Sequence, residues 1–281
     1  PLTGQEYKSL SAYEFSQNTH TAVKPYIYQN VSKYIDYDSL NNVLKKDKSS
    51  WFGRKLWNEN MLAIKGDNFW FHLDPIIDLQ MGKDNSEETY TYNNTRGIKI
   101  EGGLNNIIGF SSTILESQGR FANYVNRYAL FKKPISEAYA IVPSRDTSKE
   151  FKNHGFDYPM AMGYLSISPF DFINIQFGHD KNFIGDGYRS FFLSDVGAPY
   201  TFLKINTKFW KIQYTNLWTW LRDVNTETAD DEPYKRKYMA LHYLSWNATK
   251  NLNIGLFESV TWAKTPERGF DVHYLNPVII Y

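Results

Sequence analysis

The feature that most constrains this chain is an alternation of apolar and polar residues sustained for longer than an ordinary strand. Between positions 69 and 81, Phe69, Phe71, Leu73, Ile77, Leu79 and Met81 share one parity, with Pro75 the exception. Trp70, His72, Asp74, Asp78 and Gln80 share the other, with Ile76 the exception. A period of two marks a strand with one apolar and one polar face. Strands of soluble proteins usually run about 5–6 residues, whereas a tilted strand crossing a bilayer needs about 9–11. The length points to a membrane-spanning strand.

The pattern recurs to the end of the chain. The spacing predicts strands at 69–81 and 90–103 around a polar loop, 82–89, and then a tight turn at Asn105-Asn106 into 107–117. Residues 118–157 read as a further strand pair around 124–131 and 139–142, or as a folded loop. Met160, Met162 and Tyr164 lead through Ser168-Pro169 into Ile173, Ile175 and Phe177, and a long loop follows at 180–200. Leu203, Ile205 and Thr207 then switch parity into Trp210, Ile212, Tyr214, Trp218 and Trp220, as a hairpin requires. The acidic loop 222–235 precedes strands at 236–246 and 252–262, and the polar loop 264–271 precedes a last run from His273 to Tyr281. Ten strands result, every second connection is short, and both ends of the run fall on the short-turn side. That arrangement is the one single-chain outer-membrane barrels adopt.

Residues 1–66 differ, with tyrosines scattered among polar residues and no sustained period of two. Asp38-Ser39 can cap a helix through Lys46, and Ser49-Ser50 another that carries Trp51, Phe52, Leu56 and Trp57. Pro1-Leu2-Thr3-Gly4 has neither the charged head nor the apolar core of a signal peptide, so the numbering is expected to start after processing.

Composition narrows the function classes. The 281 residues carry a formal net charge of +1, which offers no pull toward nucleic acid. Aromatic residues make up 17% of the chain, yet the mean hydropathy is −0.51. No stretch approaches the roughly eighteen apolar residues of a membrane helix, while barrel strands dilute their apolar residues with lumen residues. Cysteine is absent, which removes disulfides, thiolate metal sites and cysteine nucleophiles.

Chemistry-bearing motifs are sparse. Gly178-His179-Asp180 stands before Gly185-Asp186-Gly187, and His179, Asp180 and Asp186 have the residue types of a metal site. The plainer reading is a polar loop with glycines at tight turns. His72 with Asp74, His154 with Asp157, and Asp271 with His273 lack a third partner, and Asp230-Asp231-Glu232 lacks the spacing of a calcium loop. Nucleophile-elbow, zincin, P-loop and dinucleotide fingerprints are missing. Carboxylates are numerous enough to leave a glycosidase pair open. No catalytic residue, metal ligand or cofactor is assigned. The expected ligand contacts are Asp180, Lys181, Asp186 and Arg189 in the long loop, and Trp210, Trp218, Trp220, Trp246 and Trp262 are expected at the membrane interfaces.

Several segments carry a resemblance. Trp51-Phe52-Gly53-Arg54-Lys55-Leu56-Trp57-Asn58-Glu59-Asn60 resembles the stretch preceding the barrel in the gliding-motility RemB-like proteins of Bacteroidota. Phe177-Gly178-His179-Asp180-Lys181-Asn182-Phe183-Ile184-Gly185-Asp186-Gly187-Tyr188-Arg189-Ser190 resembles their central signature, and Ala198-Pro199-Tyr200 and Leu275-Asn276-Pro277-Val278-Ile279-Ile280-Tyr281 fit as well. Those proteins are similar in turn to the Wzi family of capsule-assembly outer-membrane proteins. The resemblance implies an outer-membrane barrel with a small periplasmic helical element, a role in surface polysaccharide attachment, motility or adhesion, and no established catalysis. It also implies more barrel sequence after the Asn276-Pro277 block, so the chain is expected to be incomplete there.

The combined expectation is an all-β fold: an antiparallel transmembrane outer-membrane β-barrel with about ten strands here, as part of a larger barrel. Residues 1–66 would form a periplasmic, partly helical segment and 67–281 the hairpins. Expected partners are outer-membrane lipid and lipopolysaccharide, a surface polysaccharide, and envelope proteins meeting residues 1–66, with no nucleic acid. Two alternatives stand beside it: a soluble carbohydrate-binding or glycan-processing β domain, and a structural subunit of a larger envelope assembly.

Overall fold

A computed structural model describes residues 18–31, 33–34, 45–86, 89–131, 140–152, 155–223, 235–265 and 269–276. The expected helix from Asp38 to Lys46, the tip of the acidic loop, His154 and the run after Asn276 lie outside the described residues.

The chain begins with a two-residue strand, β1 (Val23–Lys24), and a single turn of helix, α1 (Tyr28–Val31). Helix α2 (Trp51–Trp57) follows, where the Ser50 hydroxyl accepts from the Gly53 N–H at 3.1 Å, the N-cap its sequence predicts. Then come β2 (Leu62–Lys65), β3 (Phe69–Asp84), β4 (Thr89–Leu104) and β5 (Ile108–Arg120). Helix α3 (Asn123–Phe131) opens an insertion that continues through β6 (Ala140–Val142), β7 (Asp146–Phe151) and β8 (Gly155–Asp157). The second half holds β9 (Met160–Phe170), β10 (Ile173–Asp180), β11 (Phe183–Ile184), β12 (Tyr200–Phe209), β13 (Ile212–Asp223), β14 (Lys235–Thr249) and β15 (Leu252–Ala263).

Ten strands line up in one antiparallel sheet, in the order β15-β14-β13-β12-β10-β9-β5-β4-β3-β2. They are not quite the expected ten. Leu62–Lys65 adds a short edge strand, and the run expected from His273 instead opens inside a 3-10 turn, Val272–Leu275. Residues 124–131 form helix α3 rather than a strand, while Ala140–Val142 is a strand as expected. Short turns join β4 to β5, β9 to β10, β12 to β13 and β14 to β15, all at one end of the sheet. At the first of these, Asn105 and Asn106 have φ of 52° and 53° and Ile107 donates to the Leu104 carbonyl at 3.0 Å. Asparagine tolerates the left-handed region, which lets this turn match the strand twist.

Register carries the sequence parity across the whole sheet. Ile77, Leu73 and Phe71 share a face with Ile98 and Ile100 on β4, Phe110 and Ile114 on β5 and Leu165 and Ile167 on β9. The same face continues through Ile175 and Phe177, Leu203 and Ile205, Trp218, Leu244 and Leu256. The other face carries Ser166, Asn174, Gln176, Lys204, Asn206, Thr215 and Ser245, every one of them buried. Across β9, β10 and β12 burial thus runs opposite to polarity, whereas Gln80 on β3 is exposed and Lys99 and Glu101 on β4 are half-buried. Phe177 is 56% exposed and Met81 91%, whereas Gln176 is 3% exposed and Lys204 1%.

Two departures interrupt the apolar face. Asn216, His242 and Glu258 form a polar row across β13, β14 and β15, with the His242 Nδ1 and Asn216 Oδ1 2.6 Å apart. Beyond it, Trp218 and Trp262 are buried beneath Phe270 and Tyr274. Their indole N–H groups donate to the carbonyls of Tyr274, at 2.6 Å, and Gly269, at 3.1 Å.

Candidate functional site

What buries the polar face is the N-terminal segment meeting the long loop after β10. Asn18 donates to the Trp210 carbonyl at 3.1 Å, and Lys208 Nζ donates to the Asn18 carbonyl at 2.9 Å. Asn247 donates to the Thr19 carbonyl at 2.9 Å, and His20 Nδ1 lies 2.8 Å from Ser245 Oγ. From there the chain climbs to β1, which pairs antiparallel with β11, Val23 opposite Ile184 and Lys24 opposite Phe183. Gly185 donates its N–H to the Ala22 carbonyl at 2.8 Å. Ala22, Val23 and Ile184 complete a core with Tyr200, Phe202, Leu217, Met239, Leu241 and Tyr243, all from the otherwise polar face.

The expected ligand residues separate into different structural tasks. Asp180 ends β10, and its Oδ1 accepts from the Lys181 N–H at 2.7 Å. Lys181 Nζ donates to the Ser144 hydroxyl and carbonyl and, at 3.1 Å, to the Asp195 carbonyl. It thereby ties the long loop to the 121–159 insertion, and its burial lowers its pKa, with Arg145 adding to the effect. Asp186 accepts from Thr21 Oγ1 at 2.9 Å and stands 3.9 Å from Lys24 Nζ. Arg189 is exposed. Lys181 holds the loop to the insertion, Asp180 accepts from the backbone of Lys181, Asp186 holds the loop to the N-terminal segment, and His179 faces Thr201 at 3.2 Å, so no shared metal site forms from them.

The aromatic residues expected at the interfaces fall at two levels. Trp210 and Trp246 stand near the short turns, exposed, while Trp218, Trp220 and Trp262 stand toward the long loops. On β14 the span from Trp246 to Tyr238 covers eight residues, about 27 Å along the strand at ~3.4 Å per residue.

A further group of polar side chains lines a cleft elsewhere, and sequence reasoning missed it. A cleft of about 400 Å³ separates β3 and β4 from the insertion. One wall holds Asp78, whose carboxylate accepts from Gln80 at 3.0 and 3.1 Å and from Asn93 at 2.9 Å. Asn93 Oδ1 in turn accepts a short hydrogen bond from the Tyr158 hydroxyl. The opposite wall rests on a small core of Ala129, Val142, Phe156 and Tyr158, flanked by Phe121. Burial pushes the Tyr158 hydroxyl up to about 12, so it remains a donor at physiological pH. Helix α3 is fixed to the sheet by Asp84, whose Oδ2 accepts from the Asn123 N–H at 2.6 Å. Arg120 and Arg145 complete the lining.

No family model matches the chain, and no curated protein or solved structure does either.

Proposed function

We propose that this chain forms wall and loops of a non-enzymatic outer-membrane β-barrel, of the RemB-like and Wzi-like kind its signature segments resemble. In this reading it serves surface polysaccharide attachment, or gliding motility and adhesion, at the cell surface. One observation carries it: a single sheet whose apolar residues are largely exposed along one face, while on the other face Ser166, Gln176, Lys204, Thr215 and Ser245, on β9, β10 and β12 to β14, are buried. Water-soluble sheets bury the apolar side, because exposing large contiguous apolar surface in water costs about 25 cal/mol per Å². A bilayer reverses the preference, and the strand lengths of β3, β4, β13 and β14, at 16, 16, 12 and 15 residues, suffice to cross it at a tilt. The short turns then belong to the periplasmic side and the long loops to the exterior. The expected result is recovery in the outer-membrane fraction and a band that shifts on boiling in detergent gels. A chain recovered folded from the aqueous fraction without detergent would overturn the proposal.

A further inference from the structure

We infer that the cleft between β3, β4 and the 121–159 insertion is a binding site for a carboxylate-bearing saccharide. The charge balance of its lining drives the inference. Asp78, Arg120 and Arg145 are its charged residues, and the Asp78 oxygens are already occupied by the Gln80 and Asn93 amides. Among the described residues Arg120 makes no side-chain hydrogen bond or ion pair, and its Nε is enclosed without a partner. Arg145 stands over the Tyr158 ring, 5.9 Å from its centroid, and among the described residues it forms no ion pair with a carboxylate. A guanidinium presents a fork of donors that matches a carboxylate in a bidentate pair. Enclosing one without an acceptor is costly, which an anionic ligand would relieve.

Size and the neutral lining select among anions. Water occupies about 30 Å³ in the liquid, so the cleft holds on the order of a dozen water-sized groups. A single inorganic anion fills a small part of that space, whereas a uronate ring or a disaccharide fills it. The Gln80 side-chain carbonyl oxygen and the Thr91 hydroxyl remain for ring hydroxyls, and Tyr92 and Phe121 offer aromatic surface for the apolar ring face. Its lining residues on β3, β4 and β5 sit at the ends of those strands away from the short turns, so its biological use rests on that end facing outward, while its chemistry does not.

The test is calorimetric titration of the full chain in detergent micelles with a glucuronate-containing disaccharide. Its methyl ester, neutral cellobiose and inorganic phosphate serve as the comparison probes. The acidic disaccharide is expected to bind, to weaken as salt rises, and to lose about tenfold in affinity with Arg120→Gln and again with Arg145→Gln. Equal binding of the methyl ester or cellobiose, or phosphate binding as tightly as the disaccharide, would overturn the inference without any variant. Unchanged affinity in both variants would overturn it too. Cell fractionation judges the membrane proposal separately, since either result there leaves the titration with its own answer.

Discussion

Strand β10 shows the two sides of the sheet at their most different. Phe177 points to one side, half exposed between Leu165 and Leu203, and Gln176 points to the other, fully enclosed beside Lys204. In a water-soluble sheet the two would exchange environments. Among the described residues the apolar face carries little covering chain apart from the patch under residues 269–276. Much of the polar face is covered by residues 18–24 and by the returning loop. Ser245, Asn174, Lys204 and Thr215 find partners there or on neighbouring strands, while Gln176 Oε1 and Thr219 Oγ1 find none among the described residues. The difference teaches that polarity here does not follow depth of packing.

The covered side can be broken most severely at Phe202, which is 2% exposed in the core shared by the N-terminal segment and the sheet. Phe202→Ala should cost about 3–5 kcal/mol, since a large buried ring leaves a cavity that a sheet closes poorly. Urea unfolding of the refolded protein measures it, and a loss under 1 kcal/mol would mean that residues 22–23 do not press on the sheet. The bare side is probed by Phe177→Arg. If lipid meets that face, the substitution should cost about 2–4 kcal/mol near the bilayer midplane. If water does, an exposed substitution should stay within about 0.5 kcal/mol. Refolding into vesicles against denaturant separates the two.

How much of this was legible in the sequence follows from the range of each interaction. Parity is local, so Phe69 to Met81 or Trp210 to Trp220 declares its strand, and register then follows from tight turns such as Asn105-Asn106. The Ser50 cap is equally local. Helix α3 was missed because Tyr124, Tyr128 and Phe131 favour strands by residue type; the Asp84 carboxylate that caps it lies 39 residues earlier. Nothing near Val23 announces a partner at Ile184, because a two-residue strand has too few positions to show a period. The loop residues Asp180, Lys181 and Asp186 attracted notice by type, and Lys181 and Asp186 fasten the loop to the insertion and to the N-terminal segment. The cleft was invisible for the converse reason: Asp78, Arg120 and Arg145 sit in three different elements and share no motif.

The smallest effect expected on this contrast is a pH dependence at His20. The imidazole is buried against Ser245, with Asn247 Nδ2 at 3.5 Å from its Nε2, so the neutral ring donates through Nδ1 and accepts at Nε2. Burial, with the Lys208 ammonium nearby, lowers its pKa from 6.5 to about 4. The folded state therefore disfavours the proton relative to the unfolded chain. The stabilisation from neutral His20 is complete above pH 6.5, declines as pH falls from 6.5 toward 4, and is spent below that. Docking of residues 18–24 should loosen over that window, seen as faster proteolysis of the segment while the strands stay protected. His20→Gln keeps a polar side chain that does not titrate and should flatten the profile. An equal acid slope in the variant would place the titrating group elsewhere and would leave the covered face held by its apolar core alone.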